Sequence, residues 1–262
     1  MARASNKPDF DRDAEIVVVV PVYRQNPEPD ELTAFTHNCR MLKNHKITLV
    51  APEGLNIESY KADTEIDVEF FPPHFFQNIA GYNRLMLSEE FYSRFNSYKY
   101  ILICQTDVFV FKDELAEWCK KDYDYVGAPW INKPFFLFQY VLAKMGFGYA
   151  IKMLFGNNLS NAVGNGGFSL RKISTFLKVL QTNQSAKKWT ANEDFFWSFF
   201  AKTDGRPLYK PSATEAGLFC IELAPEKMMK RQNHVLPMGI HAWKRYNPKF
   251  WEKYINESLA ND

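Results

Sequence analysis

This sequence has little net charge, few cysteines and no long apolar run. Its 32 basic and 30 acidic residues give a formal net charge of +2, which is too balanced for a protein that binds a polyanion mainly by neutralising phosphates. Nucleic acid is therefore not an expected partner. The four cysteines form no Cys-x-x-Cys pair and lie in apolar segments, as buried free thiols do, which favours a reducing, cytoplasmic setting.

Targeting and membrane-spanning segments are also lacking. Residues 1–15 are too polar for a secretory leader, and no apolar run reaches the roughly 20 residues that a membrane span needs. The stretch Phe135–Phe155 comes nearest but contains Lys144 and Lys152. Two interpretations of it stay open: an acceptor-side surface that contacts a membrane peripherally, or a buried core helix.

Three motifs of nucleotide and acyl chemistry are missing. The chain has no G-x-x-x-x-G-K-[ST] phosphate loop, no G-x-G-x-x-G after its first apolar run, and no G-x-S-x-G elbow. Each motif places a backbone or a nucleophile that its enzyme class requires. Kinases, dehydrogenases and hydrolases of these classes are therefore disfavoured.

What the first half does contain is an alternation of apolar strands with amphipathic helices. The predicted strands are 16–20, 47–50, 68–71 and 100–104, and the predicted helices are 32–42 and 79–95. This alternation predicts a parallel, doubly wound α/β sheet that holds a nucleotide.

The second half is expected to form the acceptor side of the same domain. Its predicted elements are helices 112–121, 173–180 and 193–200, strands 125–130 and 164–171, and an irregular tail from Lys202. Residues 1–14 are predicted to be a disordered lead-in. The range 15–262 is then one domain, with a donor half at 15–130 and an acceptor half at 131–262.

Polar residues lie where predicted strands end. Strand 100–104 runs directly into Gln105, Thr106 and Asp107, and ligands of doubly wound sheets bind beyond the carboxyl ends of the strands. A carboxylate there suits a Mg²⁺ or Mn²⁺ ion that bridges two phosphates, because hard cations prefer oxygen ligands. Taken alone, however, an aspartate after a strand more often caps the next turn.

Three further sites carry both a functional and a purely structural interpretation. Asn165-Gly166-Gly167 gives a ligand close access to backbone, or marks a bulge. His241 is a competent metal or phosphate ligand, or a satisfied structural residue.

Glu193 and Asp194 precede the apolar run Phe195–Phe200. They cap a helix, or one of them takes a proton from an acceptor hydroxyl as that oxygen attacks the anomeric carbon of a sugar. Neighbouring helical residues point about 100° apart, so only one of the two can face that hydroxyl squarely.

Seven segments, taken in order, resemble a bacterial family of glycosyltransferase-like proteins formerly described as a domain of unknown function. The segments are Val20–Tyr23, Gly81–Leu85, Ile103–Val110, Tyr123–Trp130, Val163–Arg171, Asn192–Asp194 and Gly239–His241. The likeness covers most of residues 15–245, and no segment would suffice alone. More widely, the order is similar to the GT-A glycosyltransferase plan, which implies a GT-A-like doubly wound mixed sheet and a nucleoside diphosphate-sugar donor, usually with a divalent cation.

The resemblance also implies roles for individual residues. It places Pro21, Val22 and Tyr23 at the base and ribose, and Asn83 and Arg84 at the donor phosphates or sugar. It places the sugar over Gly166 and Gly167, with Asn165 beside them, and makes Asp194 the base of inverting members. Asp107 and His241 would be metal ligands, within a donor site that also includes Gln105 and Thr106.

One departure from the family pattern weakens the metal prediction. Gln105 stands where the first acid of the Asp-x-Asp motif usually lies, and an amide supplies no negative charge. Stereochemistry also stays open, because retaining enzymes do not depend on a base and the sequence does not show which face Asp194 occupies.

These observations predict a glycosyltransferase that moves a sugar to a surface or lipid-linked glycan at the cytoplasmic face of a membrane. On family analogy, the sugar is expected to be carried by UDP. Two alternatives remain. A non-catalytic nucleotide-sugar or carbohydrate-binding protein would account for Gln105. A nucleotidyltransferase would require a glycine-rich loop after the first strand, which the segment 21–25 does not provide.

Overall fold

The computed structural model describes residues 15–60, 65–131 and 161–260. The predicted lead-in at 1–14 and the whole apolar stretch Phe135–Phe155 lie outside the described residues. The strands are β1 (Ile16–Pro21), β2 (Lys46–Pro52), β3 (Ile66–Phe71), β4 (Tyr100–Cys104), β5 (Val108–Val110), β6 (Tyr125–Gly127), β7 (Pro129–Ile131), β8 (Asn161–Val163), β9 (Phe168–Lys172), β10 (Lys202–Thr203), β11 (Arg206–Pro207), β12 (Cys220–Ile221) and β13 (Gly239–His241).

Helices connect and cover these strands. They are α1 (Pro29–Met41), α2 (Ile79–Met86), α3 (Glu89–Ser93), α4 (Leu115–Lys120), α5 (Ile173–Thr182), α6 (Gln184–Lys187), α7 (Glu193–Phe195), α8 (Ala213–Phe219), α9 (Pro225–Arg231) and α10 (Pro248–Leu259). A π-helical turn, Phe196–Phe200, follows α7 directly, and short 3₁₀ turns lie at Glu58–Tyr60 and Pro73–Phe75.

A six-stranded mixed sheet in the order β3-β2-β1-β4-β9-β6 forms the centre of the protein. Its first four strands are parallel, and β9 runs antiparallel to both of its neighbours. The predicted mixed α/β fold class is therefore confirmed. A smaller sheet, β12-β13-β5, joins the two halves of the chain, because β13 pairs with β5 directly after β4.

Both faces of the central sheet are buried, which explains its continuous apolar strands. Val17 and Val19 of β1 belong to a core with α2, α3 and α5, whereas Val18 and Val20 belong to a second core with α1. A strand covered on both faces gains from a branched apolar side chain at every position. The run Ile16–Val20 was correctly predicted for this reason.

Several predicted elements differ from the structure. The strand predicted at 125–130 is divided into β6 and β7, which belong to different sheets, and the helix predicted at 193–200 is α7 followed by the π-helical turn. The single helix predicted at 79–95 is divided into α2 and α3, because the Ser88 hydroxyl accepts a hydrogen bond from the Phe91 N–H and donates one to the Leu85 carbonyl, which begins a new helix. The irregular tail predicted from Lys202 was wrong, since α8, α9 and α10 lie within it. In α10, Trp251 and Ile255 are buried one turn apart, a helical pattern.

No helix within the described ranges is long and apolar enough to cross a membrane. The four cysteines are all buried free thiols, as expected.

The core assignment predicts unequal costs for one chemical change made at two valines. Val18 is 1% exposed and Val235 is 48% exposed. We expect Val18→Ala to lower the free energy of unfolding by about 1.5–3 kcal/mol, because apolar contacts are lost and a cavity remains. Val235→Ala should change it by less than about 0.5 kcal/mol. Denaturant titration measures both values, and equal costs would contradict the assignment.

Candidate active site

Three segments that are distant in sequence meet at the end of β4. The Gln105 N–H donates a hydrogen bond to the Gly167 carbonyl at 2.9 Å, and the Ala242 N–H donates one to the Asp107 carbonyl at 3.1 Å. His241 lies opposite Val108 in the pairing of β13 with β5. Backbone pairing therefore holds the end of β4, the glycine segment and the end of β13 beside one another.

The side chain of His241 lies among polar groups from these segments. Its Nε2 is 3.3 Å from Asp107 Oδ1 and 3.2 Å from Gln105 Oε1, and its Nδ1 is 3.5 Å from Glu222 Oε1. Burial disfavours the charged imidazole, but the Asp107 and Glu222 carboxylates outweigh burial and raise the pKa of His241 to about 10. Burial likewise opposes ionisation of Asp107, yet the imidazole lowers the pKa of this carboxyl.

The adjacent glycines lie where a side chain would not fit. A Cβ atom on Gly167 would come within 2.1 Å of His241 Nε2, and one on Gly166 within 2.2 Å of Glu193 Oε1. The Asn165 Oδ1 accepts a hydrogen bond from the Gly167 N–H at 2.9 Å, which fixes this turn. Close approach of the backbone to two functional side chains therefore requires both glycines.

A buried ion pair supports the glycine turn, which we call the floor of the cleft described below. Arg171 of β9 is fully buried and contacts both carboxylate oxygens of Glu193, at 2.9 and 3.2 Å. Its guanidinium also donates to the Tyr92 hydroxyl at 2.8 Å and to the Gly166 carbonyl at 3.3 Å. Such bidentate pairing satisfies a carboxylate that burial alone would destabilise. Both carboxylate oxygens of Glu193 are therefore held by Arg171.

Asp194 has a different environment from its neighbour in α7. Its Oδ1 accepts a hydrogen bond from the Phe195 N–H at 2.7 Å, and its side chain lines the cleft described below. Burial, followed by the charges of Glu193 and Glu222, raises the pKa of Asp194 to about 8. Both acids line the cleft, but they are distinguished by geometry, because only Glu193 is held by an arginine.

These groups line one cleft of about 870 Å³, which we call the central cleft. The sequence-predicted residues that line it are Pro21, Tyr23, Asn83, Gln105, Thr106, Asp107, Asn165, Gly166, Gly167, Glu193, Asp194 and His241. Two predicted residues are not brought there: Val22 is buried in the core, and Arg84 is exposed outside the lining. Asn83 also accepts a hydrogen bond from the Glu193 N–H, at 3.2 Å.

Other lining residues escaped the sequence analysis. They include Glu31, Tyr82, Trp130, Glu222, Leu223, Arg245 and Tyr246. Glu222 directly follows the short strand β12, and Arg245 comes four residues after His241. A carboxylate at a strand end was a signal within the sequence, but nothing there indicated that β12 pairs with β13.

An aromatic wall lines the central cleft close to Asp194. Trp130, Phe195 and Leu223 form a buried cluster against which Tyr246 packs, and all four residues line the cleft. Aromatic faces beside carboxylates can bind a sugar, because its C–H groups contact the rings while its hydroxyls bond to the acids.

One group of donor atoms suits a divalent cation. Asp107 offers a carboxylate, Gln105 an amide oxygen and His241 an imidazole that must lose its proton before it can ligate a metal. The imidazole Nε2 lies within 3.3 Å of both oxygens. Within the described ranges, no three His, Cys, Asp or Glu side chains form a metal-binding group. The set therefore fits a cation only if phosphate oxygens complete its coordination.

Comparison with known proteins gives a family and a fold. The model of a family described as "Protein of unknown function (DUF5672)" matches residues 65–241, more than half of the chain. No curated protein matches the sequence.

Among solved structures, the galactosyltransferase LgtC in complex with donor and acceptor sugar analogues is similar to this chain. It has 14% sequence identity and a TM-score of 0.51, and the match covers 94% of this chain and 95% of LgtC. An active-site mutant of LgtC gives 13% identity and a TM-score of 0.50 over the same shares. At such identities the likeness shows the fold alone.

The bifunctional glycosyltransferase WbbM is also similar, with 14% identity and a TM-score of 0.49. The match covers 90% of this chain but only 46% of WbbM. The chain therefore spans less than half of the length of that protein.

The two neighbouring acids should differ in their effect on stability. Glu193→Gln leaves the buried Arg171 guanidinium without its counter-charge, so we expect a loss of about 3–5 kcal/mol in the free energy of unfolding. Asp194→Asn should not lower it at pH 7, because the amide oxygen can still accept from the Phe195 N–H and the cost of burying this acid is removed. Denaturant titration of both variants measures the difference. Equal losses would contradict the separate roles.

Proposed function

The chain belongs to the family described as "Protein of unknown function (DUF5672)", and we propose that it is a glycosyltransferase that uses a nucleoside diphosphate-sugar. The observation that carries this proposal is the central cleft, where the ends of β1, β4 and β13, the glycine turn and Asp194 line one cavity. The fold shared with LgtC supports it. Because one fold hosts many functions, the residues of the cleft are the stronger argument.

The donor is proposed to extend from the end of β1 to the end of β4. Pro21 and Tyr23 would border its base and ribose, and Asn165, Gly166 and Gly167 would lie under its sugar. A uridine nucleotide is the carrier we propose, from the family resemblance. A divalent cation held by Asp107 and His241, with the Gln105 amide oxygen, would neutralise charge on the diphosphate when bound.

The proposed reaction is a direct displacement with inversion. An acceptor hydroxyl oxygen forms a bond to the anomeric carbon while the bond from that carbon to the diphosphate breaks. Its proton passes to the Asp194 carboxylate, and the nucleoside diphosphate leaves with the bonding electron pair. The two contacts of Glu193 with Arg171 support Asp194, rather than Glu193, as the proposed base.

The acceptor is proposed to be a surface or lipid-linked glycan that lies against the aromatic wall. The wall is adjacent to Asp194 through Phe195, so a sugar stacked on it would place a hydroxyl near the carboxylate. The buried free thiols suit the reducing, cytoplasmic compartment in which we propose that the reaction occurs.

A panel of nucleotide sugars, screened by thermal shift with and without Mn²⁺, tests the function. A ligand that binds only the native state raises the melting temperature, so one donor family should stabilise the protein. Release of free nucleoside diphosphate in the presence of glycan acceptors then separates an enzyme from a non-catalytic binding protein, the alternative favoured by Gln105. Stabilisation by no nucleotide sugar would refute the proposal.

Asp107→Asn is predicted to abolish the gain in donor affinity that Mn²⁺ provides. The substitution keeps the shape of the side chain and removes the only negative charge among the three proposed ligands. Isothermal titration of the donor, with Mn²⁺ and with a chelator, measures this gain. Circular dichroism should show an intact fold. An unchanged response to Mn²⁺ would remove Asp107 from the donor site.

Asp194→Asn is predicted to lower kcat by roughly 10²- to 10⁴-fold with donor affinity nearly unchanged. The wild-type rate should rise with pH up to about 8 and then level, because the base must be ionised and the pKa of Asp194 is raised to about 8. The variant should lose this dependence. Full activity of the variant, or a wild-type rate that falls from pH 6 to 8, would contradict the assignment.

A further inference from the structure

Most cations near the central cleft already have carboxylate partners. Arg24 contacts Glu31 at 3.0 Å, and Arg171 contacts Glu193 at 2.9 Å. His241 lies between the carboxylates of Asp107 and Glu222. None of these groups has a positive charge left unpaired for an anionic ligand.

Arg245 differs from them. It lines the central cleft, is exposed, and within the described residues has no carboxylate at ion-pair distance. Its guanidinium carbon lies 5.4 Å from the centre of the Tyr246 ring, a contact that leaves its N–H donors available. Of the described lining residues, only Arg245 offers a full positive charge without an acidic partner.

The backbone fixes Arg245 relative to the end of β4. Ala242 follows His241 directly, adopts a left-handed conformation with φ of 49°, and donates its N–H to the Asp107 carbonyl. The Arg245 N–H then donates to the Ala242 carbonyl at 3.0 Å, which closes a turn. A strained residue held by a hydrogen bond at a cleft indicates a turn whose position matters. This turn connects Arg245 to Asp107 through two backbone hydrogen bonds.

The charge balance of the cleft indicates what Arg245 would bind. A diphosphate is an anion that needs positive charge at its binding site. Gln105 is neutral, so the proposed metal site attracts a cation less strongly than a site with two acids would. A planar guanidinium with five donors matches phosphate oxygens in a bidentate way. The Arg245 guanidinium therefore matches a diphosphate in charge and in geometry.

We propose that Arg245 binds the diphosphate of the nucleotide-sugar donor and stabilises it as the leaving group. The proposal rests on the proposed function and assigns the phosphate-binding arginine to Arg245, where the family resemblance had implied Arg84 at the donor phosphates or sugar. Arg84 does not line the cleft. Binding of a nucleoside diphosphate should accordingly persist in part without a divalent cation.

Calorimetric titrations in the presence of a chelator, repeated with Mn²⁺, test the assignment. The ligands are UDP, GDP, inorganic pyrophosphate and, as a phosphate-free probe, uridine. The proteins are the wild type, Arg245→Gln, Arg245→Lys and the control Arg231→Gln, whose exposed arginine ends α9 and does not line the cleft. Thermal unfolding of each variant confirms that it is folded.

Arg245→Gln should weaken diphosphate binding by roughly tenfold to a hundredfold, because hydrogen bonds to a charged group are lost. Uridine binding should not change, Arg231→Gln should match the wild type, and Arg245→Lys should fall between them. If Arg245→Gln binds diphosphates as the wild type does, the proposal is wrong while the proposed function stands. If the wild type binds diphosphates with Mn²⁺ but not with the chelator, the proposal alone is wrong. If it binds no diphosphate or pyrophosphate under either condition, both fail.

Discussion

The ion pair between Arg171 and Glu193 is the interaction on which the floor of the central cleft depends. Its carboxylate occupies the space that a side chain at position 166 would need, and its guanidinium bonds to the Gly166 carbonyl. It also holds the first residue of α7, so that Asp194, the next residue, lines the cleft. A buried pair of this kind contributes little net stability compared with apolar residues of equal size, but it is costly to break. What the pair does provide is one defined arrangement of the backbone at Gly166.

The floor in turn separates two chemical environments. The first environment lies at the end of β4 and includes His241. Its acidic and basic groups are within 3.5 Å of one another. Near α7 lies the aromatic wall, with Asp194 beside it. The first environment suits a phosphate-containing group that is bound together with a divalent cation, and the second suits a sugar. A transfer reaction requires both at one cleft, since the sugar must be bonded to phosphate before the step and to the acceptor after it.

The sequence predicted the parts of this arrangement that local patterns encode. Strand β1 follows from its buried β-branched run, and the position of Asp107 from the rule that ligands bind at the carboxyl ends of parallel strands. Tyr23 came from the family resemblance. The division between α2 and α3 depends on the single cap at Ser88. One serine within a continuous apolar pattern is too weak a signal to predict a helix boundary. Glu222 and Arg245 reach the cleft through the pairing of β12, β13 and β5, and contacts between strands so far apart in the chain have no local signature. The different roles of Glu193 and Asp194 likewise required the position of Arg171.

The central claim is that a nucleoside diphosphate-sugar binds in the central cleft across these segments. Hydrogen exchange measured with and without the donor that the thermal-shift panel identifies locates the site directly, because bound backbone amides exchange more slowly. We expect protection at residues 22–23, 105–107, 165–167 and 241–246, with little change at the exposed surface of α9. Protection confined to segments outside the cleft, with these four unchanged, would contradict it.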